Sequence, residues 1–290
     1  MLSRLVRSVV GAAADPLDGV RERLVVSSRP RVVVLIYHRV GGRSPSPVDL
    51  PGGVFEHHLD VLAESGRVVD LDTAAAVLTG RPAELAAGPY EREDDEIPRV
   101  VITFDDGTAD WPDVVMPALV ARGLPATFYV STDFVDRQRL FPDEGRPVSW
   151  AGLADMAGTG LATIGSHTHT HRVLAGATTQ VAAEELDRSI ATIEGHLGIP
   201  CRHFAYPKAI APSAAADVVV RRRCHTAALA GNRANVAGTT DLHRLGRHAL
   251  TVADDDASFA RKLAGGMWLE GWLRERRDAL RLRPDEYAPS

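Results

Sequence analysis

The chain has 290 residues, 45% of them hydrophobic and 24% charged, with a formal net charge of −5. It is long enough to bury the core of one large α/β domain, and a slightly acidic balance without a basic stripe argues against a nucleic-acid partner. No apolar run reaches the roughly 18 residues of a membrane span, and the two isolated cysteines, Cys201 and Cys224, exclude a disulfide framework.

The pattern divides into an N-terminal helical extension over 1–30, a single domain over 31–265 and a C-terminal helical tail over 266–290. Leu2, Leu5, Val6, Val9 and Val10 share one helical face, with Arg4 and Arg7 off it. Such a helix either docks on the domain or lies on a membrane surface; its shortness favours docking. The run Val9 to Ala14 is too short and too rich in Ala and Gly for a secretory signal core, so a cytoplasmic location is expected. Asp15 followed by Pro16 reads as a helix cap and first turn.

Arg31 to Tyr37 (RVVVLIY) is an apolar strand ending at His38, followed by a loop rich in Gly, Ser and Pro over 41–53. Phe55, His58, Leu59 and Leu62 mark the buried side of a helix stopped by Gly66. A short strand is expected over Arg67 to Leu71, with Asp72 capping a brief helix before Gly80. Residues 81–98 read as a surface loop, acidic from Glu91 to Glu96. Val100 to Phe104 form a second buried strand, 111–122 a helix, Ala126 to Val130 a strand, 132–147 a loop and Trp150 to Ala157 a short helix. A strand over Leu161 to Ile164 precedes a long helix whose core face is Leu186, Ile190, Ile193 and Leu197. His203 to Tyr206 is a strand cut off by Pro207; the pattern then weakens until a last helix over 257–282, broken at Gly265-Gly266. This alternation argues for an α/β fold with a parallel sheet inside and helices outside, closed or nearly closed into a barrel.

The polar residues cluster where apolar strands end. His38, Asp105-Asp106, the run His167-Thr168-His169-Thr170-His171 and Tyr206-Pro207 each follow a strand immediately. In a parallel barrel these ends emerge on one face. Two imidazoles and a carboxylate are a common ligand set for a divalent cation, zinc above all. On a helical turn His167 and His171 would face one way, whereas an extended segment would align His167, His169 and His171. Of two adjacent aspartates, one can bind the cation while the other takes a proton from an attacking water. The spacing also approaches the phosphoryl-transferring Asp-x-Asp-Gly-Thr element, but Phe104 stands where that chemistry needs an aspartate.

Thr103-Phe104-Asp105-Asp106-Gly107 together with His167 to His171 resembles the first two motifs of the NodB-type polysaccharide deacetylases, carbohydrate esterase family four, over roughly residues 31–265. The resemblance implies a distorted (β/α)7-type barrel and metal-dependent removal of N-acetyl or O-acetyl groups from a carbohydrate, with an N-acetylhexosamine-containing glycan as the expected substrate. It makes Asp105 the general base and Asp106, His167 and His171 the metal ligands, with Zn, Co or Ni as the cation; His169 falls between the ligands and is not one. The general-acid histidine of the family lies on a late Leu-x-His strand; here the better match is the early Leu35-Ile36-Tyr37-His38, as in the permuted subfamily acting on poly-N-acetylglucosamine. His38 is therefore assigned as the acid.

The third family motif departs from the usual pattern. In Phe204-Ala205-Tyr206-Pro207-Lys208-Ala209, Ala205 replaces the arginine that orients the base, Lys208 stands at the backbone oxyanion donor, and Ala209 replaces a glycine. Arg247 is the candidate to supply the missing guanidinium. Arg172 replaces the proline that often follows the second ligand histidine. Two rival readings keep the fold: hydrolysis of a cyclic amide C–N bond, resembling allantoinase, and a catalytically silent carbohydrate-binding relative. Trp111, Tyr129 and Trp150 are candidates to line a sugar groove or a closed pocket.

Overall fold

The computed structural model describes residues 29–80 and 97–266. The N-terminal extension, the acidic loop and the C-terminal tail lie outside the described residues except at their inner ends. Strand β1 (Arg31–Tyr37) leads through the short β2 (Arg39–Val40) and β3 (Asp49–Leu50) into helices α1 (Gly52–Ser65) and α2 (Leu71–Thr79). Then come β4 (Arg99–Phe104), α3 (Met116–Val120), β5 (Ala126–Val130), α4 (Thr132–Arg137), α5 (Trp150–Gly158) and β6 (Ala162–Ser166). The chain continues with α6 (Thr179–Leu197), β7 (His203–Ala205), α7 (Ala214–Arg223), β8 (Thr226–Ala228), β9 (Asn235–Val236), β10 (His248–Ala249) and α8 (Asp256–Leu263).

The main sheet runs β10-β1-β4-β5-β6-β7-β8 with every neighbour parallel, while β9 pairs antiparallel with β1. The sheet curls so far that one segment serves both edges. Leu245 bridges Ala228 on β8, and three residues later His248 pairs with Leu35 on β1. The fold is thus the barrel-like α/β sheet that the alternation of strand and helix implied.

Alternation along each strand sorts side chains to two faces. Val33, Leu35, Tyr37, Ile102, Phe104, Phe128 and Val130 pack outward against α1, α3 and α5. Val32, Val34, Val101, Tyr129, Ala205, Ala228 and Leu245 face inward, where α2 covers them with Leu71, Ala74 and Leu78. Inner positions on the later strands are small: Gly165, Ala205 and Ala228. They leave room for the buried Tyr129 ring and the buried Arg247 side chain.

Four local expectations need correction. Residues Arg67 to Leu71 make only an isolated bridge, Val68 to Val100, because Asp70 already begins α2; it is Asp70, not Asp72, whose side chain accepts from the Thr73 N–H at 2.7 Å. The segment 132–147 is not all loop: Thr132–Arg137 is helical, closed by Gln138 in a left-handed conformation. The segment 41–53 is not all loop either, since Asp49–Leu50 pairs with Arg39–Val40 and α1 already starts at Gly52. The helix expected over 111–122 opens with a π turn over Trp111–Val115 before α3. No helix among the described residues is long and apolar enough to cross a membrane. Cys201 and Cys224 are buried free thiols.

The inner face leaves no space at Gly165, where an added Cβ would sit 2.7 Å from the His203 carbonyl oxygen and 2.8 Å from Tyr129 Cδ1. Neither neighbour can yield, one being backbone and the other a buried ring. Gly165→Ala is expected to destabilise the protein by about 1–3 kcal/mol, read as a lower urea midpoint at unchanged slope.

Candidate active site

The four strand ends singled out in the sequence do emerge together. β1 stops one residue before His38, β4 one before Asp105, β6 one before His167 and β7 one before Tyr206, and the strands are parallel neighbours in one curled sheet. Asp105 continues the inward alternation Val101, Thr103 of β4, and its N–H still donates to the Tyr37 carbonyl of β1 at 3.0 Å. The ladder then breaks. Asp106 takes φ +85°, Gly107 follows at φ +111°, and the Asp106 carbonyl accepts from Ser131 N–H at 3.0 Å. Two successive positive φ values turn the second carboxylate away from the first, and only glycine takes the second without strain.

Asp105 is buried and gripped by a buried guanidinium. Arg247 donates from both terminal nitrogens to its two oxygens, at 2.7 and 2.8 Å. The same arginine donates to Thr103 Oγ1 at 3.1 Å and to the Leu229 carbonyl at 2.9 Å, while Thr103 Oγ1 donates to the Leu35 carbonyl. A planar fork on a carboxylate is strong and directional. Burial pushes the Asp105 carboxyl up, but Arg247 and His167 beside it more than offset this and hold it below its ordinary value. The guanidinium on Asp105 thus comes from Arg247, immediately before β10, and not from position 205 on β7.

Asp106, His167 and His171 converge. Each offers a ligand atom, and these atoms lie within 4.8 Å of one another. His167 Nε2 is 3.6 Å and His171 Nε2 3.3 Å from Asp106 Oδ1. His167 Nδ1 donates to the Ala205 carbonyl at 2.8 Å, which assigns the ring proton to that nitrogen and leaves a lone pair on Nε2. Burial lowers the His167 pKa to about 4, so the ring is neutral at pH 7. A bare nitrogen lone pair facing a carboxylate oxygen, too far for a hydrogen bond, is what a cation between them would relieve. Asp106 is itself held well below the usual carboxylate range: burial raises it, but His171, His38 and His167 outweigh that effect. The donor set fits a divalent cation.

Residues 167–171 form neither of the two shapes considered, helical turn or extended strand. Thr168 and His171 both adopt left-handed φ, +63° and +61°, so the chain loops and returns the second histidine beside the first. His169 is occupied elsewhere, with Nδ1 2.7 Å from Thr132 Oγ1 and Nε2 3.7 Å from Asp133.

His38 follows β1 directly, and its carbonyl accepts from Trp111 Nε1 at 2.9 Å. Its ring Nδ1 is buried without a hydrogen-bond partner among the described residues. His38 lies near enough to Asp105 and Asp106 for its charge to help keep both carboxylates ionised. Lys208 is exposed in the turn after β7, and both it and Ala209 take left-handed φ, +56° and +54°. Trp111 and Tyr129 do not line a groove. Both are fully buried, Trp111 against Phe104 and Phe128 and Tyr129 in the inner core. Trp150 is partly buried and stacks on His196 at 4.2 Å.

Sequence reasoning missed three contributors. Thr103 was visible as a lone hydroxyl in an apolar strand. Ser131, which donates to the His167 carbonyl at 3.0 Å, and Glu185, which accepts from Thr170, carried no signal because their partners lie 36 and 15 residues away.

Residues 92–222 match the sequence model of the family described as polysaccharide deacetylase. Over that stretch the chain is similar to the polysaccharide deacetylases of the NodB type. IcaB from Ammonifex degensii is 27% identical, with 82% of this chain and 97% of that one covered at a TM-score of 0.65. This likeness fits the permuted subfamily expected from the early Leu35–His38 strand. The deacetylase PplD of Streptococcus pyogenes, solved in complex with acetate, is 18% identical, covering 81% of this chain and 99% of that one at a TM-score of 0.67. A de-N-acetylase from Aggregatibacter actinomycetemcomitans is 20% identical, covering 80% and 99% at a TM-score of 0.66. At these lower identities the last two speak for the shared fold. No curated protein matches the chain.

The Arg247 grip makes a prediction about pH. The folded-state pKa of Asp105 lies below its unfolded value of about 3.9, so its stabilising contribution is complete above that value and is lost as the pH falls through the folded one. Without Arg247, burial dominates and the folded pKa rises above the unfolded one. Arg247→Gln should therefore cost about 3–5 kcal/mol at pH 7, and urea melts should show the deficit shrinking as the pH falls and Asp105 takes up a proton.

Proposed function

We propose that this domain is a metal-dependent hydrolase removing N-acetyl groups from an N-acetylhexosamine-containing glycan. The observation that carries this reading is the pairing of a cation-ready triad with a separate buried carboxylate. Asp106, His167 and His171 converge on one point, while Asp105, held by Arg247, stands 4.0 Å from His167 Nε2. The match of residues 92–222 to the polysaccharide deacetylase family model and the likeness to IcaB support the substrate class.

A divalent cation in the triad, Zn, Co or Ni, supplies Lewis acidity and lowers the pKa of water. Asp105, ionised and fixed in one orientation by the Arg247 fork, accepts the proton of the water that attacks the acetyl carbonyl. The oxyanion needs a preorganised donor, and the reading assigns this to a backbone N–H at the Lys208 turn. His38, just past the end of β1 and next to β4, gives a proton to the leaving amine nitrogen. The amine is a poor leaving group, so proton delivery matters as much as attack. The silent sugar-binding alternative rests on Ala205, Lys208 and Ala209; the guanidinium that Arg247 brings to Asp105 answers the first of these.

Acetate release from N-acetylglucosamine oligomers, with Zn, Co or Ni added, tests the reading. Asp105→Asn should abolish turnover yet keep bound metal, whereas His167→Ala should lose both, as metal analysis of the purified proteins would show. Wild-type acetate release by Asp105→Asn would overturn the mechanism.

The acid role separates by leaving group. His38→Ala should lower kcat on the N-acetylated sugar by about 10²–10⁴-fold, while hydrolysis of an aryl acetate, whose phenolate departs unprotonated, should change little. An equal loss on both substrates would remove His38 from the acid role.

A further inference from the structure

We propose that Glu185, on α6, is a positioning residue that holds the second histidine of the triad in its binding conformation; this rests on the metal-holding reading above. The inference starts from the backbone. His171 sits at φ +61°, a left-handed conformation disfavoured for a residue with a Cβ. An isolated loop with this sequence would relax toward negative φ and swing the imidazole away from Asp106. Something must hold the loop.

The anchors can be followed residue by residue. The His167 carbonyl accepts from Ser131 Oγ at 3.0 Å, and the His169 carbonyl accepts from Asp133 N–H at 2.8 Å. His169 Nδ1 lies 2.7 Å from Thr132 Oγ1. These contacts hold the loop as far as residue 169. Beyond it the hold passes to Glu185, the hydrogen-bond partner of Thr170. Glu185 Oε2 accepts the Thr170 N–H at 2.8 Å, and Oε1 accepts the Thr170 hydroxyl at 2.7 Å. Both oxygens therefore grip the residue immediately before His171. The neighbouring Leu186 is fully buried in α6, so the helix that carries the carboxylate is itself fixed to the core.

A two-point grip removes rotation about the bonds flanking Thr170 and leaves His171 few ways to face. Its edge also meets the Phe134 ring, with centroids 6.4 Å apart at 87°, but a ring edge does not set a backbone angle. Groups behind metal ligands commonly govern affinity in this way, with losses of about 10–100-fold on removal.

The test is metal affinity of the full-length protein, measured by titration with Co²⁺ alone and followed both calorimetrically and by the visible Co²⁺ spectrum. Glu185→Ala is expected to weaken Co²⁺ binding by about 10–100-fold and to change the spectrum, since the second imidazole no longer holds its place. Glu185→Gln should bind near the wild-type level, because its carbonyl still accepts the Thr170 N–H and its amide can donate to the Thr170 hydroxyl. Thermal melts of the metal-free proteins guard against a trivial explanation. A Glu185→Ala protein that is folded, binds Co²⁺ as tightly as wild type and shows the same spectrum overturns the proposal. Should the wild type itself bind no Co²⁺, the metal-holding reading fails first and the proposal with it, an outcome distinct from the former.

Discussion

The bidentate contact between Arg247 and Asp105 is the interaction around which the rest of the site is arranged. Both partners are buried, so each would be costly alone: an ionised carboxylate without a counter-charge would take up a proton, and a guanidinium cannot give one up. Together they fix the carboxylate in its charged form and in one plane. The inner face of the sheet is shaped to admit the arginine. Gly165, Ala205 and Ala228 are small where the guanidinium and the Tyr129 ring need volume, and the Arg247 Cζ lies 5.4 Å from the Tyr129 centroid. Such close packing makes the pair hard to rearrange.

A second constraint is backbone strain at the barrel mouth. Asp106, Thr168, His171, Lys208 and Ala209 all take left-handed φ although each carries a Cβ, and all five lie directly after β4, β6 or β7. Strain of this kind persists only where surrounding contacts determine the conformation. Here the contacts come from neighbouring connections: Ser131 and Asp133 after β5 hold the carbonyls of residues 106, 167 and 169, and Glu185 on α6 holds residue 170. The site is thus built by adjacent strand ends supporting one another.

The two adjacent aspartates show how one dipeptide serves two environments. Asp105 stays on the ladder and points inward to the arginine; Asp106 leaves the ladder and points to the two imidazoles. Their charges are stabilised by different partners, which keeps both ionised at close range. The neutral tautomer of His167, set by the Ala205 carbonyl, completes the division by turning a nitrogen lone pair toward Asp106.

Much of this was determined by the sequence alone. The order and type of most elements, the parallel barrel-like sheet and the convergence of His38, Asp105-Asp106 and His167 to His171 follow from local patterns: apolar strands of period two, each ending at a polar residue. Local rules failed where local signals compete. Asp70 and Asp72 are both plausible caps, and Thr132–Arg137 is too short a helix to announce itself beside its loop. Tertiary structure alone decided three things: the shape of residues 167–171, the burial of Trp111 and Tyr129, and that Arg247, only a candidate in the sequence, reaches Asp105. Each depends on contacts between residues far apart in the chain. Arg247 and Asp105 are 142 residues apart, and a periodicity read within a window of ten or twenty residues carries no information about which distant side chain fills the space between them.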